Sequence, residues 1–230
     1  MKWFFYLMKI ITYLPLRLLY PVKIIGRKNM PKGKVIAVGN HLSAADIVMQ
    51  LSNLPGFRYT VAKKELSKNK FIGACLASVG AIYIDRGKAD LSAMKKILGV
   101  MQKGYGLSIF PEGTRNRKGT MLGQIKEGAA LFAIKGKADV VPVMIYEKAK
   151  LFSRNYLWVG KSFSLSEFYG KRADAALLKE ASDVIEEHML KAQQDLNDYV
   201  FYNKSKFGER LKKDAAKAEK SLKKLLGETS

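Results

Sequence analysis

An α/β fold is predicted by the way this 230-residue sequence alternates two kinds of pattern. Between residues 32 and 170, short runs rich in β-branched residues are separated by stretches with helical spacing. This alternation is typical of a mixed, largely parallel sheet flanked by helices. After residue 170 the strand pattern ends and only helical spacing continues. Since 48% of the residues are hydrophobic, disorder of the whole chain is excluded.

The predicted strands share β-branched or aromatic residues and are bounded by glycine or proline. They are Lys34–Val38, Arg58–Ala62, Ala81–Asp85, Leu107–Phe110, Val140–Tyr146 and Tyr156–Lys161. The predicted helices between them are Ala44–Leu51, Glu65–Ala77, Leu91–Gln102 and Lys126–Lys135. In sheets of this kind ligands bind at the carboxyl ends of the strands, so polar residues that follow a strand are the candidate functional residues.

The first 31 residues are predicted to form amphipathic helices that anchor the chain at a membrane interface. Their apolar side chains fall largely on one side of a helical wheel and their Lys and Arg side chains on the other, while Trp3 and three tyrosines suit the headgroup level. The uncharged run Ile10–Leu16 is too short to span a bilayer, which takes about 20 residues. Pro15 and Pro21 should split the segment. The alternative is a helix that packs on the domain core.

Two helical segments are predicted after the α/β domain of residues 32–170. Residues 171–202 keep apolar side chains at helical spacing and are expected to pack on the domain. Residues 203–230 place apolar side chains on one face and lysines on the other, which is typical of a basic amphipathic helix at a membrane surface or a partner helix. A solvated surface helix is the alternative for this tail.

The charge distribution indicates anionic partners. The sequence has 41 Lys and Arg against 20 Asp and Glu, a net charge of +21. Acidic membrane surfaces, phosphorylated substrates and nucleic acids all fit this excess. No nucleic acid is expected as a partner, because the aromatic residues lie mainly in the apolar arm and the strands, without an RNA-binding signature.

Neither a disulfide nor a metal site is expected. The single cysteine excludes an intrachain disulfide and fits a reducing compartment. The two histidines, His41 and His188, are far apart and have no cysteine pairs near them, which argues against a structural zinc site. His188 follows two glutamates on the polar face of a predicted helix and is expected to lie at the surface.

The first candidate site lies in Asn40–Asp46, directly after a predicted strand. Histidine changes charge near neutral pH, which suits a general base, and a carboxylate can fix its tautomer. Five residues along a regular helix rotate by about 500°. The side chains of His41 and Asp46 therefore meet only if the motif straddles a strand-to-helix junction, where the predicted boundary falls. The alternative is a helix capping box from Ser43 to Asp46, with His41 as an ordinary loop residue.

The second candidate site, Phe110–Arg115, ends another predicted strand. An arginine fork matches a phosphate group, a glycine permits close approach of the backbone, and Glu112 could hold the fork in position. The alternative is a simple strand-ending turn in which Pro111 and Gly113 only shape the backbone.

Four blocks in order resemble the glycerolipid acyltransferase family, which is characterised by an HxxxxD motif. They are Asn40-His41-x-Ser43-x-x-Asp46, Gly80–Arg86, Phe110–Arg115 and Val141–Val143. The similarity extends over residues 32–146. The best-known bacterial members of this family are 1-acyl-sn-glycerol-3-phosphate acyltransferases.

The resemblance implies an activity and a set of site residues. A fatty acyl group would move from acyl-CoA or acyl carrier protein to the 2-hydroxyl of lysophosphatidic acid, giving phosphatidic acid, without a further cofactor or a metal. His41 would be the general base and Asp46 its orienting partner. The residues expected to bind substrate are Arg86, Glu112, Gly113 and Arg115, around the phosphate, and Lys63, as a candidate oxyanion donor.

The same resemblance, with the amphipathic segments, implies a location. The enzyme is expected to be peripheral or monotopic at the cytoplasmic face of the cell membrane, on anionic phospholipid. One alternative is a member of the same family that acylates glycerol 3-phosphate or another lysolipid. An alternative of a different class is a non-catalytic basic membrane-binding protein, suggested by the charge of +21.

Overall fold

A computed structural model describes residues 18–85, 90–116, 122–204 and 206–225 of the chain. Seven strands in these ranges form one sheet: β1 (Val22–Ile25), β2 (Val35–Val38), β3 (Arg58–Lys63), β4 (Ala81–Ile84), β5 (Gly106–Ile109), β6 (Asp139–Ile145) and β7 (Asn155–Val159). The α-helices of the same ranges are α1 (Ala45–Asn53), α2 (Lys70–Ser78), α3 (Leu91–Gln102), α4 (Gly128–Gly136), α5 (Ala175–Lys204) and α6 (Lys206–Leu225).

The sheet has the strand order β1-β7-β6-β2-β5-β3-β4. The last five of these strands run parallel to one another, whereas β7 is antiparallel to β6, and β1 is parallel to β7. The central strand β2 is buried along its whole length, as expected of a parallel strand covered on both faces. The predicted α/β class with a mixed, largely parallel sheet is confirmed.

Most of the predicted elements agree with the structure. Each of the six predicted strands matches one of β2 to β7 to within two residues at either end. Three of the four predicted helices agree equally well with α1, α3 and α4. The fourth, predicted over Glu65–Ala77, is divided into a 3₁₀ helix (Lys64–Lys68) and α2, because the backbone of Asn69 between them is extended.

The N-terminal prediction needs a correction. Amphipathic helices were expected over residues 1–31, but Val22–Ile25 form the edge strand β1, which pairs with β7. Val22 and Ile24 pack against a buried apolar cluster of the sheet. The physical reason is that β-branched residues after Pro21 favour an extended backbone, a preference that the helical wheel does not weigh. Residues 1–17, which hold the rest of the predicted arm, lie outside the described residues.

The chain divides into two compact units, residues 1–193 and 194–230. Helix α5 begins in the first unit and ends in the second, and α6 belongs to the second. Within α6, the exposed residues include Leu211, Ala215 and Ala218 of the predicted apolar face. The finer division at residues 31, 170 and 202 stays a prediction. Nowhere in the described part of the chain is a helix both long and apolar enough to cross a bilayer.

Parallel strands bring five loops to one edge of the sheet, here called the C-terminal edge. It comprises the loops that follow β2, β3, β4, β5 and β6, the last being residues 146–154. Because β7 and β1 run in the opposite direction, their first residues also lie at this edge. The two candidate sites, which follow the neighbouring strands β2 and β5, are therefore next to each other.

Candidate active site

The structure joins His41 to Asp46. His41 lies in the loop after β2, and Asp46 is the second residue of α1. His41 Nδ1 is 3.0 Å from Asp46 Oδ2. The motif thus straddles a strand-to-helix junction, which is the condition the sequence set for the two side chains to meet.

The carboxylate of Asp46 is fully buried and surrounded by donors. Its Oδ2 accepts hydrogen bonds from the backbone N–H of Leu42 and of Ser43, both at 2.6 Å, and its Oδ1 accepts one from Ser43 Oγ at 2.6 Å. A carboxylate that only accepts satisfies all these groups together, so Nδ1 of His41 carries the proton in this arrangement. Nε2 of His41 is then the ring nitrogen with a free lone pair.

The capping-box alternative is half correct. Asp46 accepts from the backbone N–H of Ser43, as the acidic residue of a capping box does. The Ser43 hydroxyl, however, donates to Asp46, and Ala44 is the N-cap residue of α1, without a side-chain cap. One carboxylate therefore fixes both the start of the helix and the imidazole.

The ring and the backbone of His41 are each held by the loop after β5. The imidazole stacks on Phe110, with ring centroids 4.4 Å apart and an interplanar angle of 20°. The His41 N–H donates to Glu112 Oε1 at 2.8 Å, and its carbonyl accepts from the Asn116 N–H at 2.7 Å. The side chain of His41 remains 19% exposed, so a substrate can reach it.

The buried side chain of Glu112 joins two backbone segments by hydrogen bonds. Its side chain is only 4% exposed; besides the His41 N–H on Oε1, it accepts the Gly123 N–H on Oε2 at 2.9 Å. Burial raises the pKa of the Glu112 carboxyl, although these two backbone N–H bonds act in the opposite direction. A Cβ at position 123 would overlap Glu112 Oε2, so glycine is needed there.

This geometry corrects the expectation that Glu112 holds the fork of Arg115. Among the described residues, no ion pair joins the two side chains, and Arg115 is exposed. The reason is burial: both Glu112 oxygens face the protein interior, where backbone N–H groups satisfy them.

Two further predicted site residues, Lys63 and Gly113, lie at the same edge. Lys63 ends β3, and its half-exposed ammonium pairs with Glu65 Oε1 at 3.0 Å. Gly113 has a left-handed backbone (φ +68°), and a Cβ there would lie 3.1 Å from the stem of Lys126. Arg86 lies outside the described residues.

A cavity of about 230 Å³ opens beside the loop after β5. Its apolar wall comes from the ends of β3, β4 and β5 and from the start of α4, and it includes Phe110, on which His41 stacks. Asp85 and Lys126 are its charged lining residues. An apolar cavity with a few charged groups at its wall suits a ligand that is part hydrocarbon and part charged.

Sequence reasoning missed three residues that build the site. Asn40 is buried and exchanges two 2.8 Å hydrogen bonds with the backbone of Ile145, which ties the His41 loop to the end of β6. Its place beside His41 at a strand end was the available signal. For Gly123 and Lys126 no local pattern was available, since their contacts are with Glu112 and Pro111, more than ten residues earlier in the same loop.

His188, expected at the surface, is partly exposed, and its ring also packs against another side chain. Its ring stacks on Phe163, with centroids 3.8 Å apart and an interplanar angle of 9°. An aromatic partner far away in the sequence cannot be read from the polar neighbours of a helical residue.

Comparison with known proteins identifies the family of this chain. The profile of the family named Acyltransferase matches residues 21–146. The 1-acyl-sn-glycerol-3-phosphate acyltransferase of Borreliella burgdorferi is 32% identical over 142 residues, which are 60% of this chain and 56% of that protein. That of Bacillus subtilis is 36% identical over 124 residues, 53% of this chain and 60% of that protein. The human alpha form is 30% identical over 146 residues, 60% of this chain and 51% of that protein. The chain thus spans little more than half the length of these relatives.

A solved structure shares the fold. The 1-acyl-sn-glycerophosphate (LPA) acyltransferase PlsC from Thermotoga maritima superposes with a TM-score of 0.55 at 22% identity. The superposition covers 74% of this chain and 71% of that one. At this identity the likeness concerns the fold.

Proposed function

Because the chain belongs to the acyltransferase family, whose profile covers more than half of it, we propose that it acylates the 2-hydroxyl of lysophosphatidic acid. The acyl group comes from a thioester, either acyl-CoA or acyl carrier protein, and the product is phosphatidic acid. The relatives named above carry this activity in their names.

The observation that supports this function best is the His41–Asp46 pair. With Nδ1 donating to Asp46, Nε2 is free to take the proton of the acceptor hydroxyl, and the buried carboxylate stabilises the imidazolium that forms. The hydroxyl oxygen bonds to the thioester carbonyl carbon, the C–S bond breaks, and the proton passes to the departing thiolate. No covalent intermediate on the protein is needed.

The substrate's charged and apolar parts have separate places in this proposal. Arg115, Gly113 and Arg86 bind the acceptor phosphate, and Lys63 contributes positive charge where the oxyanion forms. Glu112 serves substrate binding indirectly, by holding the backbone on either side of the site. The apolar cavity beside Phe110 suits a hydrocarbon chain.

We also propose that the chain attaches peripherally to the cytoplasmic face of an anionic membrane. The amphipathic pattern of residues 1–17 and the basic helix α6 support this. Deletion of residues 1–17, which leaves β1 intact, should weaken binding to acidic vesicles. An unchanged affinity would mean that this segment is not an anchor.

The function is tested by turnover with defined substrates. The purified full chain is given acyl-CoA or acyl carrier protein thioesters, with lysophosphatidic acid, glycerol 3-phosphate or lysophosphatidylcholine as acceptor. The proposal expects phosphatidic acid from lysophosphatidic acid, formed by the His41→Ala variant at a rate about 10²–10⁴-fold lower. Preferential acylation of glycerol 3-phosphate would favour the other acceptor class, and no transfer to any acceptor would contradict the proposal.

A further inference from the structure

The large hydrophobic side chains that the first unit exposes are concentrated at one edge of the sheet. Among the side chains described between residues 18 and 193, seven such residues are more than a third exposed. Six of them lie in segments of the C-terminal edge: Leu18, Leu19, Leu66, Leu91, Leu151 and Phe152. The seventh, Leu190, belongs to α5. Such clustering is unusual for a surface that only water covers.

The topology explains why these residues lie at a common edge. Leu66 follows β3 directly, and Leu91 follows β4, with the Asp85 N–H bonded to the carboxylate of Asp90. The loop with Leu151 and Phe152 follows β6, which is the neighbour of β2, the strand that carries His41. Neighbouring strands are about 4.8 Å apart. The exposed apolar residues therefore lie in segments on both sides of β2, the strand that carries His41.

Hydrogen bonds hold the loop after β6 in a conformation that exposes its tip, Leu151 and Phe152. The buried side chain of Asn155 accepts the Lys150 N–H at 2.9 Å and donates to the carbonyls of Lys150 and Ser153. The N–H of Phe152 donates to the carbonyl of Leu19 at 2.7 Å, which joins the two apolar segments. Phe152 has a left-handed backbone (φ +53°) and is 75% exposed. A phenylalanine held in a conformation that it disfavours, with its ring in solvent, indicates an external partner.

The charges around the tip identify that partner's chemistry. Lys148, Lys150 and Arg154 are exposed in the same loop, and Glu147 is its one acidic residue, paired with Lys150. Apolar side chains flanked by cations match a lipid surface with anionic headgroups.

We propose that the C-terminal edge is a lipid-contacting surface, with Leu151 and Phe152 inserted among the headgroups of an anionic bilayer. Lys148 and Arg154 contact the lipid phosphates at the same depth. This surface belongs to the folded first unit and acts in addition to residues 1–17. With this surface on the bilayer, the candidate active site is also directed toward the layer that contains lipid acceptors. The inference goes beyond the acyl-transfer proposal, because lipid binding is its own readout.

The apolar part is tested by sedimentation of the full chain with vesicles of phosphatidylcholine and phosphatidylglycerol. Phe152→Asp should weaken binding by on the order of 10- to 100-fold, the effect of removing one buried aromatic ring from the interface. Gln102→Glu adds one negative charge at the opposite edge of the sheet, before β5, and should bind like the wild type. Equal binding by Phe152→Asp and the wild type would overturn the proposal.

The role of the charged residues in the loop after β6 is tested by comparing two double variants that remove the same charge. Lys148→Gln combined with Arg154→Gln should weaken binding by on the order of 10-fold at low salt and less at high salt. Lys103→Gln combined with Lys135→Gln removes the same charge at the opposite edge and should have a smaller effect. Equal losses in the two double variants would mean that only net charge matters, which contradicts a local surface.

Other occupants of this surface give different results. With Phe152→Trp, brominated phospholipids should quench more tryptophan fluorescence than in the wild type, and no added quenching would overturn the insertion. If Phe152→Asp changes the oligomeric state and leaves vesicle binding intact, the surface joins two copies of the chain, and the proposal is wrong. Acyl transfer to a detergent-dispersed acceptor should survive in Phe152→Asp. An inactive wild type that still binds vesicles through this loop would contradict the proposed function alone.

Discussion

The connection from β2 into α1 and the loop after β5 each carry a buried carboxylate, and the two carboxylates act on different parts of His41. Asp46 contacts the imidazole through Nδ1, five residues away in the sequence. Glu112 contacts the backbone N–H, seventy-one residues away, and holds the Gly123 segment as well. The connection from β2 into α1 therefore orients the reactive ring, and the loop after β5 fixes the backbone that carries it.

The two carboxylates therefore have different roles: Asp46 acts on the reactive ring of His41, and Glu112 stabilises the backbone around it. A change in the first loop should remove catalytic power and leave the fold intact. A change in the second should loosen the site and alter stability, because Glu112 joins two segments of the chain. Substitutions in the two loops can therefore test the division of labour.

The largest effect is expected from His41→Ala. Without the imidazole, the acceptor hydroxyl has no group to take its proton, so turnover should fall by about 10²–10⁴-fold. Circular dichroism and the thermal unfolding midpoint should stay close to those of the wild type, because the ring is partly exposed. Wild-type turnover by the folded variant would remove His41 from the role of base.

Asp46→Asn should come next, with a loss of about 10²-fold in kcat. The amide offers one acceptor oxygen where the carboxylate offers two, and its NH₂ group favours the wrong tautomer of His41. The acceptor KM should change little. A variant with normal kcat and raised KM would place Asp46 in binding.

Glu112→Gln should lower kcat by about 10-fold, as expected when one hydrogen bond that fixes the His41 loop is lost. Its effect on stability depends on pH. Because the pKa of Glu112 is raised in the folded state, the stability that this group contributes is present below its usual pKa, ~4.3, and is lost as the pH rises through the raised value.

Denaturant unfolding from pH 4 to 8 measures this pH-dependent contribution of Glu112 to the free energy of unfolding. The free energy of unfolding of the wild type, relative to Glu112→Gln, should fall with rising pH. Parallel curves for the two proteins would show that Glu112 does not titrate differently on folding.

The smallest effect is expected from Arg115→Lys. Arg115 is exposed, and a lysine keeps the charge but not the two-pronged geometry. The acceptor KM should rise by roughly 5-fold, the effect of one charge-assisted hydrogen bond at an exposed site. The donor KM of the same variant is the control. Equal rises in both would contradict an acceptor-phosphate role.

Local patterns explain what could be predicted. The strands β2 to β7 were found because each is a short apolar run with clear boundaries. The position of His41 and Asp46 at a strand-to-helix junction allowed both a catalytic pair and a capping box, and the resemblance to the acyltransferase family favoured the pair. β1 was missed, since a four-residue edge strand gains its stability from β7, more than a hundred residues away. On a helical wheel, Ile25 also falls on the apolar side and Lys23 on the opposite side.

The loop after β5 shows how far the sequence could predict the site. Phe110–Arg115 was correctly placed at a strand end, but the partners of Glu112 are backbone N–H groups of two other segments. Backbone N–H groups leave no signature in a sequence, whereas an arginine three residues away suggests an ion pair. The exposed Leu151–Phe152 tip was missed for the same reason, because exposure depends on the fold.

The central claim, direct acyl transfer to a hydroxyl assisted by His41, is tested most directly by the stoichiometry of the reaction. The full chain is incubated with acyl-CoA and lysophosphatidic acid, and the released thiol and the phosphatidic acid are measured in one sample. The account predicts one thiol for each phosphatidic acid, both formed about 10²–10⁴-fold more slowly by His41→Ala, and neither product with a 2-deoxy acceptor. Thiol release without phosphatidic acid, or phosphatidic acid formed at the wild-type rate by His41→Ala, would contradict it.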